Sequence, residues 1–319
     1  MRLTSRRESD DDAGETMMRR DERRALAAET VEILERGWYA DGSGRRVSVA
    51  GELDAAVAGT RLWTPDELTG LLTVHGERSG GRTPGAANPV PSGRVEVVNE
   101  TSLSAARRLT DTGDPVGDPV GDPVGDPVGC LNFASAKNPG GGFLNGSEAQ
   151  EESLARSSGL YRCLVGVRDF YDFHRGQGDP LYSHRAVFSP AVPVFRDDRG
   201  GLLAQPYPVS FVTAAAPNAG AMRGDGPRLE RLPEVLSERA ARVLALFAAS
   251  GVRRVVLGAW GCGVFRNPPE SVASVFAGHL GPGGAFHGTF DRVVFAVLDR
   301  APGTPTHDAF ARAFRSRAG

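Results

Sequence analysis

The sequence predicts an α/β fold built on a mixed, mostly parallel β-sheet. Apolar segments typical of strands alternate with amphipathic helical segments over residues 94–319, and this alternation favours a parallel sheet with helical crossovers. The segment 252–259 is predicted to be a continuous buried strand, as in a sheet covered on both faces. Residues 19–93 are predicted to form an N-terminal accessory region. Residues 1–18, which are polar and acidic, are predicted to be a disordered tail.

The accessory region is predicted to contain two helices and a short hairpin. Leu26, Ile33 and Leu34 recur at helical spacing before Gly37, and glycine often ends a helix. Thr64 and Pro65 suit the cap and the first position of the second helix. The elements in order are a helix over 21–36, a hairpin of 38–39 with 47–49, a short strand or turn near 56–62, a helix from Pro65, and a Gly- and Pro-rich loop over 77–93.

The region over 94–319 is predicted to be one catalytic domain with a low-complexity insertion. Asp-Pro-Val-Gly occurs four times in a row, and each unit combines Pro with Gly, so the segment 113–129 is expected to hold neither helix nor central strand. A loop rich in Tyr, His and Arg is expected around Tyr171, His174, Tyr182 and His184. Predicted strands cover 94–99, 130–134, 187–189, 192–195, 209–215, 252–259 and 290–298, and predicted helices cover 101–109, 150–152 with following residues, 233–250, 267–280 and 306–315.

Three consecutive glycines, Gly140 to Gly142, follow a predicted strand and precede a helix that begins with Gln150, Glu151 and Glu152. Successive glycines are entropically costly, which indicates a backbone that approaches a ligand closely. A loop before a helix directs several N–H groups to one place, where a phosphate can bind. Two carboxylates just beyond it would repel a phosphate, so they suggest chemistry beside a diphosphate. The alternative is an ordinary glycine turn whose acidic residues suit the helix dipole.

A second glycine loop, Gly261-Cys262-Gly263, also follows a predicted strand and precedes a predicted helix. Ligands of parallel sheets bind at the carboxyl ends of the strands, so both loops are expected at the same edge of the sheet. Cys262 could be a nucleophile in a different enzyme class. Because no His/Asp partner stands out, a small buried cysteine is favoured.

The spacing Gly140-Gly141-Gly142, seven residues, Gln150-Glu151-Glu152 resembles the GGG–QEE motif of poly(ADP-ribose) glycohydrolases. The flanking residues 132–139 and 154–161 resemble the bacterial branch of that family, and the resemblance extends over residues 19–299. It implies a macrodomain, which is a three-layer α/β/α sandwich that binds ADP-ribose. It also implies hydrolysis of the ribose–ribose O-glycosidic bonds of poly(ADP-ribose), with release of ADP-ribose and without a metal or cofactor.

The resemblance implies that Glu152 is the general acid and that Glu151 fixes the ribose. Such hydrolysis passes through an oxocarbenium-like transition state and needs an acid at the leaving oxygen. Adjacent helical residues point about 100° apart, so the two carboxyl groups cannot share one role. A helix N-terminus lowers a carboxyl pKa, whereas burial, a neighbouring like charge and the substrate diphosphate raise it. We expect the raising effects to prevail in the complex.

Further ligand contacts are expected in the two loops and at the end of the first domain strand. Phe265 would press the distal ribose toward Glu152, unless it is a core aromatic. Gln150 is either a plain polar helix residue or a hydrogen-bond partner of substrate or loop. Residues 100–101 occupy the place where macrodomains commonly read the base. The predicted substrate-binding residues are Asn138, Gly140, Gly141, Gly142, Gln150, Gly261, Cys262, Gly263, Val264, Phe265, Glu100 and Thr101.

The composition limits the kinds of molecule that the protein is expected to bind. With 40% apolar and 24% charged residues the chain has the composition of a soluble globular protein, and a net charge of −2 gives no general affinity for nucleic acid. No apolar run approaches the ~20 residues that cross a bilayer. Three scattered cysteines without a CxxC pair and six histidines without metal-ligand spacing predict free thiols, a cytoplasmic location and no catalytic metal. A monomer that acts on poly(ADP-ribose) or ADP-ribosylated proteins is expected.

Three other functions are weighed against this one. A non-catalytic ADP-ribose reader is disfavoured because it would gain by losing the charges of Glu151 and Glu152. A hydrolase of mono-ADP-ribosylated proteins stays open, since the terminal unit is the same. A Rossmann-type nucleotide enzyme ranks last because no GxGxxG follows the first domain strand.

Overall fold

The computed structural model describes residues 18–80, 94–111 and 127–315. The strands are β1 Trp38–Ala40, β2 Arg46–Ser48, β3 Arg61–Trp63, β4 Arg94–Val98, β5 Val128–Phe133, β6 Ala186–Arg196, β7 Leu202–Ala214, β8 Arg254–Gly258 and β9 Arg292–Ala296. The helices are α1 Arg20–Arg36, α2 Ala50–Gly59, α3 Pro65–Gly80, α4 Ser102–Asp111, α5 Gln150–Ser157, α6 Leu160–Val165, α7 Arg168–Gln177, α8 Gly226–Ala249, α9 Pro269–Leu280 and α10 Pro305–Arg315.

One seven-stranded sheet organises the fold, with the strand order β3-β6-β7-β5-β8-β9-β4. The five strands from β7 to β4 run parallel to one another, whereas β6 pairs antiparallel with both β3 and β7. Strands β1 and β2 form a separate hairpin. The mixed, mostly parallel sheet predicted from the sequence is therefore confirmed.

Helices cover both faces of the sheet, which gives the expected three layers. In a strand, successive side chains point to opposite faces, and β8 shows this: Val255 and Leu257 lie in one core and Val256 in the other. The first core includes residues of α3, α8, α9 and α10. The second includes residues of α4, α5, α6 and α7. Because helices cover both faces of the sheet, a ligand is expected at the loops beyond the strand ends.

The predicted accessory region extends the sheet and also contacts the glycine loop. Strand β3 pairs with β6 at the edge of the main sheet. In α1, Arg23 donates to the carbonyl of Gly146 at 2.9 Å and pairs with Glu148 at 2.6 Å. The N-terminal region thus extends the sheet and contacts the segment between the first glycine loop and α5. The predicted tail lies outside the described residues except for residue 18, and the domain boundary at residue 94 stays a prediction.

Several predicted elements are confirmed with shifted ends, and helix caps explain why. Gly37 ends α1 in the left-handed conformation, as expected. Thr64 and Glu67 form a capping box at α3, with Glu67 accepting from the Thr64 backbone at 2.8 Å. The helix predicted to start at Pro233 instead starts at Gly226, because Asp225 caps it and accepts from the N–H of Arg228.

Other local predictions were wrong for identifiable reasons. Residues 56–59, predicted as strand or turn, belong to α2, and the strand follows at β3. The strands predicted over 187–189 and 192–195 are one strand, β6, with a bulge between Ser189 and Val192. Tyr171 and His174 lie in α7 rather than in a loop. Residues 113–126 of the predicted insertion lie outside the described residues, but its last two residues, Val128 and Gly129, begin central strand β5.

Candidate active site

The first glycine loop lies against the two predicted catalytic carboxyl groups. The N–H of Gly142 donates to Glu152 Oε1 at 2.9 Å. Gly141 has a φ of +59°, which L side chains rarely adopt. A Cβ at this position would lie 2.9 Å from Glu152 Cδ and 3.2 Å from Glu151 Oε2. Glycine is therefore required here for two reasons, the backbone conformation and the close approach to both carboxyl groups.

Glu151 is held inside the protein, with only 3% of its surface exposed. Its Oε2 accepts from the Ser135 backbone N–H at 2.6 Å, and its Oε1 accepts from Asn132 Nδ2 at 3.3 Å. Burial disfavours the charged carboxylate and raises the pKa of Glu151 to about 8, in spite of these hydrogen bonds. The burial that was expected to raise the pKa of the acid is thus found at Glu151, the carboxyl group predicted to fix the ribose.

Glu152 is half-buried and sits at the start of α5, beside the loop. Within the described residues its carboxyl group accepts one hydrogen bond, through Oε1, so Oε2 has no hydrogen-bond partner there. The two neighbouring carboxyl groups therefore differ as the helix geometry requires: one is fixed within the protein and one faces the loop. This division agrees with separate roles for positioning and for proton transfer.

Gln150 is fully engaged within the protein. Its Oε1 accepts from the Phe133 N–H at 2.9 Å, and its Nε2 donates to the Leu131 carbonyl at 2.8 Å and to Ser102 Oγ at 3.1 Å. These bonds join α5 to β5 and to the start of α4. Gln150 therefore positions the helix that carries Glu151 and Glu152, and a direct contact with substrate stays a prediction.

The second glycine loop follows β8 at the same edge, as predicted. Gly261 has a φ of +74°, and a Cβ there would lie 2.6 Å from Ala216 Cβ. Cys262 is half-buried rather than buried as expected. Desolvation raises the pKa of its thiol to about 12, so the thiol is neutral, which argues against a nucleophile. Phe265 is half-buried, and its ring centroid lies 5.8 Å from that of Tyr182. Val264 is 80% exposed beside it.

A cleft of about 480 Å³ lies beside the first turn of α5, between the start of α4 and the second glycine loop. The described residues that line it include neither the carboxyl pair nor the first glycine loop, and they do not include Asn138, Val264 or Phe265. The carboxyl ends of four parallel strands contribute to its walls, at the edge where such sheets bind ligands. Five predicted residues line it: Glu100, Thr101, Gln150, Cys262 and Gly263. The volume lies within the range of small-molecule sites, about 300–1,000 Å³.

The side chains of residues 100 and 101 also have structural partners. Glu100 pairs with Arg108 at 2.8 Å. Thr101 caps α4 by accepting from the Ser104 N–H at 3.0 Å, and its hydroxyl donates to Asp198 Oδ2 at 2.7 Å. Both residues line the cleft, and their contact with a base stays a prediction. Asn138 is exposed at the loop, where its carbonyl accepts from the Gly141 N–H at 3.0 Å.

Sequence reasoning did not assign four residues that build the site. Asn132 and Ser135 hold Glu151, and Asp198 and Arg156 line the cleft. Asn132 could have been noticed as a polar residue in an apolar strand. Asp198 lies in the turn between β6 and β7, far away in sequence, and no local pattern connects it to this site.

Two further properties hold for the described parts of the chain. None of their helices is long and apolar enough to span a membrane. In the same parts, no three His, Cys, Asp or Glu side chains are grouped as metal ligands would be.

Replacing Glu151 with glutamine is expected to stabilise the protein at high pH. The usual carboxyl pKa of 4.5 applies to the unfolded chain, and burial raises the folded-state pKa to about 8. Between these values the folded state holds a proton that the unfolded state has lost, so stability falls as pH rises through this window. Glutamine cannot ionise and escapes this loss, about 1.4 kcal/mol per unit of pKa difference. Urea unfolding at pH 5, 7 and 9 should show the gain over wild type growing with pH.

Glu67→Gln is the matched control, because hydrogen bonding to the Thr64 backbone lowers the pKa of Glu67. This control should show no gain at pH 9. An unchanged free energy of unfolding for Glu151→Gln between pH 5 and pH 9, relative to wild type, would contradict a buried, protonated Glu151.

Comparisons with known proteins agree with this geometry. The family model described as "Microbial-type PARG, catalytic domain" matches residues 27–197. The crystal structure of poly(ADP-ribose) glycohydrolase from Thermomonospora curvata is 54% identical, covers 92% of this chain and 100% of its own, and has a TM-score of 0.83. The complex of the same enzyme with the inhibitor ADP-HPD is 54% identical, covers 92% of this chain and 99% of its own, and has a TM-score of 0.81. The structure of poly(ADP-ribose) glycohydrolase from Deinococcus radiodurans in complex with ADP-ribose is 42% identical, covers 83% of this chain and 97% of its own, and has a TM-score of 0.71. No curated protein matches the chain.

Proposed function

The chain belongs to the microbial-type poly(ADP-ribose) glycohydrolases, and on this basis we propose that it hydrolyses the ribose–ribose O-glycosidic bonds of poly(ADP-ribose) and releases ADP-ribose. One observation carries the proposal. Glu151 and Glu152 both meet the glycine loop beside a cleft of about 480 Å³ at the carboxyl edge of the sheet. This pairing of a buried and a half-buried carboxyl group suits a reaction that needs one positioning group and one acid.

The chemistry follows from the two environments. The terminal ADP-ribose occupies the cleft, with its distal ribose at the carboxyl pair. Glu152 protonates the leaving oxygen as the oxocarbenium-like transition state forms, and its carboxylate then takes a proton from the attacking water. Glu151, with its raised pKa, carries a proton near neutral pH and fixes the ribose by hydrogen bonding. A protonated Glu151 also leaves one negative charge, rather than two, beside the substrate diphosphate.

The activity is tested by incubating the purified protein with poly(ADP-ribose) and following free ADP-ribose by chromatography. Binding of ADP-ribose is measured by calorimetry on the same preparation. Time-dependent release of ADP-ribose supports the proposal. Binding without release favours a reader, and release only from mono-ADP-ribosylated protein favours the mono-ADP-ribosyl hydrolase. A protein that neither binds nor cleaves overturns the assignment of the ligand.

The cellular setting belongs to the same proposal. The free thiols of Cys130, Cys163 and Cys262 support a cytoplasmic location. A monomer that needs no metal or cofactor is part of the same proposal. Its partners would be poly(ADP-ribose) or ADP-ribosylated proteins, and not free nucleic acid or membrane. Size-exclusion chromatography with light scattering tests the monomer directly.

A further inference from the structure

Lys137 is the only lysine in the sequence, in which the other 36 basic residues are arginines. It lies between β5 and the first glycine loop, and its side chain is exposed. Among the residues that the structure describes, no carboxylate pairs with it. A lysine ammonium is a compact, mobile point charge that binds phosphate without the fixed geometry of a guanidinium. Its place beside the catalytic loop therefore suggests a phosphate that arrives on that side.

Phe173 and Arg185 form a stacked pair, and α7, which carries Phe173, is connected to this lysine through Arg175. The Phe173 side chain is 37% exposed, and the guanidinium carbon of Arg185 lies 3.3 Å from its ring centroid. Within the described parts of the chain, Arg185 has no carboxylate partner, and partial burial lowers its pKa. An exposed aromatic ring next to an unpaired arginine is the arrangement by which proteins stack a nucleobase and hold its phosphate.

Contacts through α7 connect the pair to the catalytic loop. Arg175 donates to the carbonyl oxygen of Lys137 and also pairs with Asp172, which neutralises that carboxylate. On the other side, the His174 ring lies 5.7 Å from both Phe173 and Tyr182. Tyr182 in turn contacts Phe265, the predicted ribose contact. These contacts link the patch to the residues before the first glycine loop and to Phe265, and none of the patch residues is among the described residues that line the cleft.

We propose that Lys137, Phe173 and Arg185 form a subsite for the penultimate ADP-ribose unit of the polymer. This inference rests on the proposed function. The bond to be cut joins the distal ribose of the terminal unit to the adenosine ribose of the next unit. With the terminal unit in the cleft, the next adenine and diphosphate leave on the opposite side of Glu152. There Phe173 and Arg185 stack the adenine, and Lys137 and Arg185 bind the diphosphate.

Steady-state kinetics on poly(ADP-ribose) of defined length, at two salt concentrations, test the subsite in Phe173→Ala and Arg185→Gln. Loss of a stacked base is expected to raise KM about tenfold for Phe173→Ala. Arg185→Gln should raise KM and weaken the dependence of kcat/KM on salt, since one phosphate contact is lost. The Kd of ADP-ribose, which fills only the cleft, should match that of wild type. Lys137→Gln, at an exposed position, is a second charge variant with the same expectation as Arg185→Gln.

Arg46→Gln is the matched control, because Arg46 also stacks on an aromatic ring, that of Trp38, at 4.3 Å. It should leave KM unchanged. Wild-type turnover with unchanged KM in all three variants would overturn the subsite but not the proposed function. If KM for the polymer rose by the same factor as the Kd of ADP-ribose, the residues would belong to the cleft instead, and the proposed subsite would be overturned. A wild type that releases no ADP-ribose would remove both proposals together.

Discussion

Replacing Glu152 with glutamine is expected to lower kcat for ADP-ribose release by about 10³-fold, within the range that general acid–base catalysis contributes. The amide cannot donate the proton that the leaving oxygen needs. In the wild type the Gly142 N–H donates to Glu152 Oε1 at 2.9 Å. The amide oxygen of glutamine can accept the same hydrogen bond, so the loop should keep its conformation. The affinity for ADP-ribose should therefore be retained. Single-turnover release of ADP-ribose, together with calorimetric binding, measures the two quantities separately.

Glu67→Gln supplies the matched control for this variant. Both Glu67 and Glu152 are the third residue of their helix and both accept a backbone N–H, but Glu67 lies in α3, far from the carboxyl pair in sequence and outside the cleft walls described here. Its replacement should leave kcat unchanged. Turnover of Glu152→Gln within tenfold of wild type would show that another group protonates the leaving oxygen. Glu151, which meets the same loop, would then be the next candidate.

Local patterns predicted most of the sheet and both glycine loops. Strand and helix periods, the cap at Thr64 and the stop at Gly37 are properties of short segments, and the structure confirms them. The patterns failed where tertiary packing decides. The pattern predicts a helix start at Pro233, yet the helix begins about two turns earlier, at Gly226, because Asp225 caps it there. The sequence pattern predicts a loop at the aromatic residues of α7, although Phe170, Tyr171 and His174 are buried on one side of a helix.

The site shows the same division between local motif and distant contact. The resemblance identified the two glutamates and the loops. It could not show which glutamate is buried, because that depends on Asn132 and Ser135 and on the helices that close over them. The role of Gln150 as a connection between α5, β5 and α4 depends on Ser102, 48 residues earlier. Asp198 reaches the cleft from the hairpin between β6 and β7, and only the assembled sheet brings it there.

The close contact between loop and carboxyl groups predicts that Gly141→Ala lowers kcat/KM by about 100-fold, the cost of displacing a catalytic group by about 1 Å. The new Cβ would overlap the Glu152 carboxyl group, 2.9 Å from its Cδ, and the flexible side chain would move aside. The folded protein should survive, since a left-handed conformation costs an alanine about 1–2 kcal/mol. Activity and stability are measured on the same preparation by ADP-ribose release and thermal unfolding.

Gly251→Ala separates backbone strain from displacement of the acid. Gly251 has a φ of +74°, similar to that of Gly141, but a Cβ there would meet no atom within 4 Å. Both variants should lose similar stability through strain, whereas only Gly141→Ala should lose activity. If Gly141→Ala turned over substrate as fast as Gly251→Ala, the fit between the loop and Glu152 would have no part in catalysis. If Gly141→Ala lost both activity and stability but still bound ADP-ribose, the defect would lie at the reacting carboxyl group. The cleft that holds the nucleotide is lined by Gln150 and Ser153 of α5, and not by Glu152.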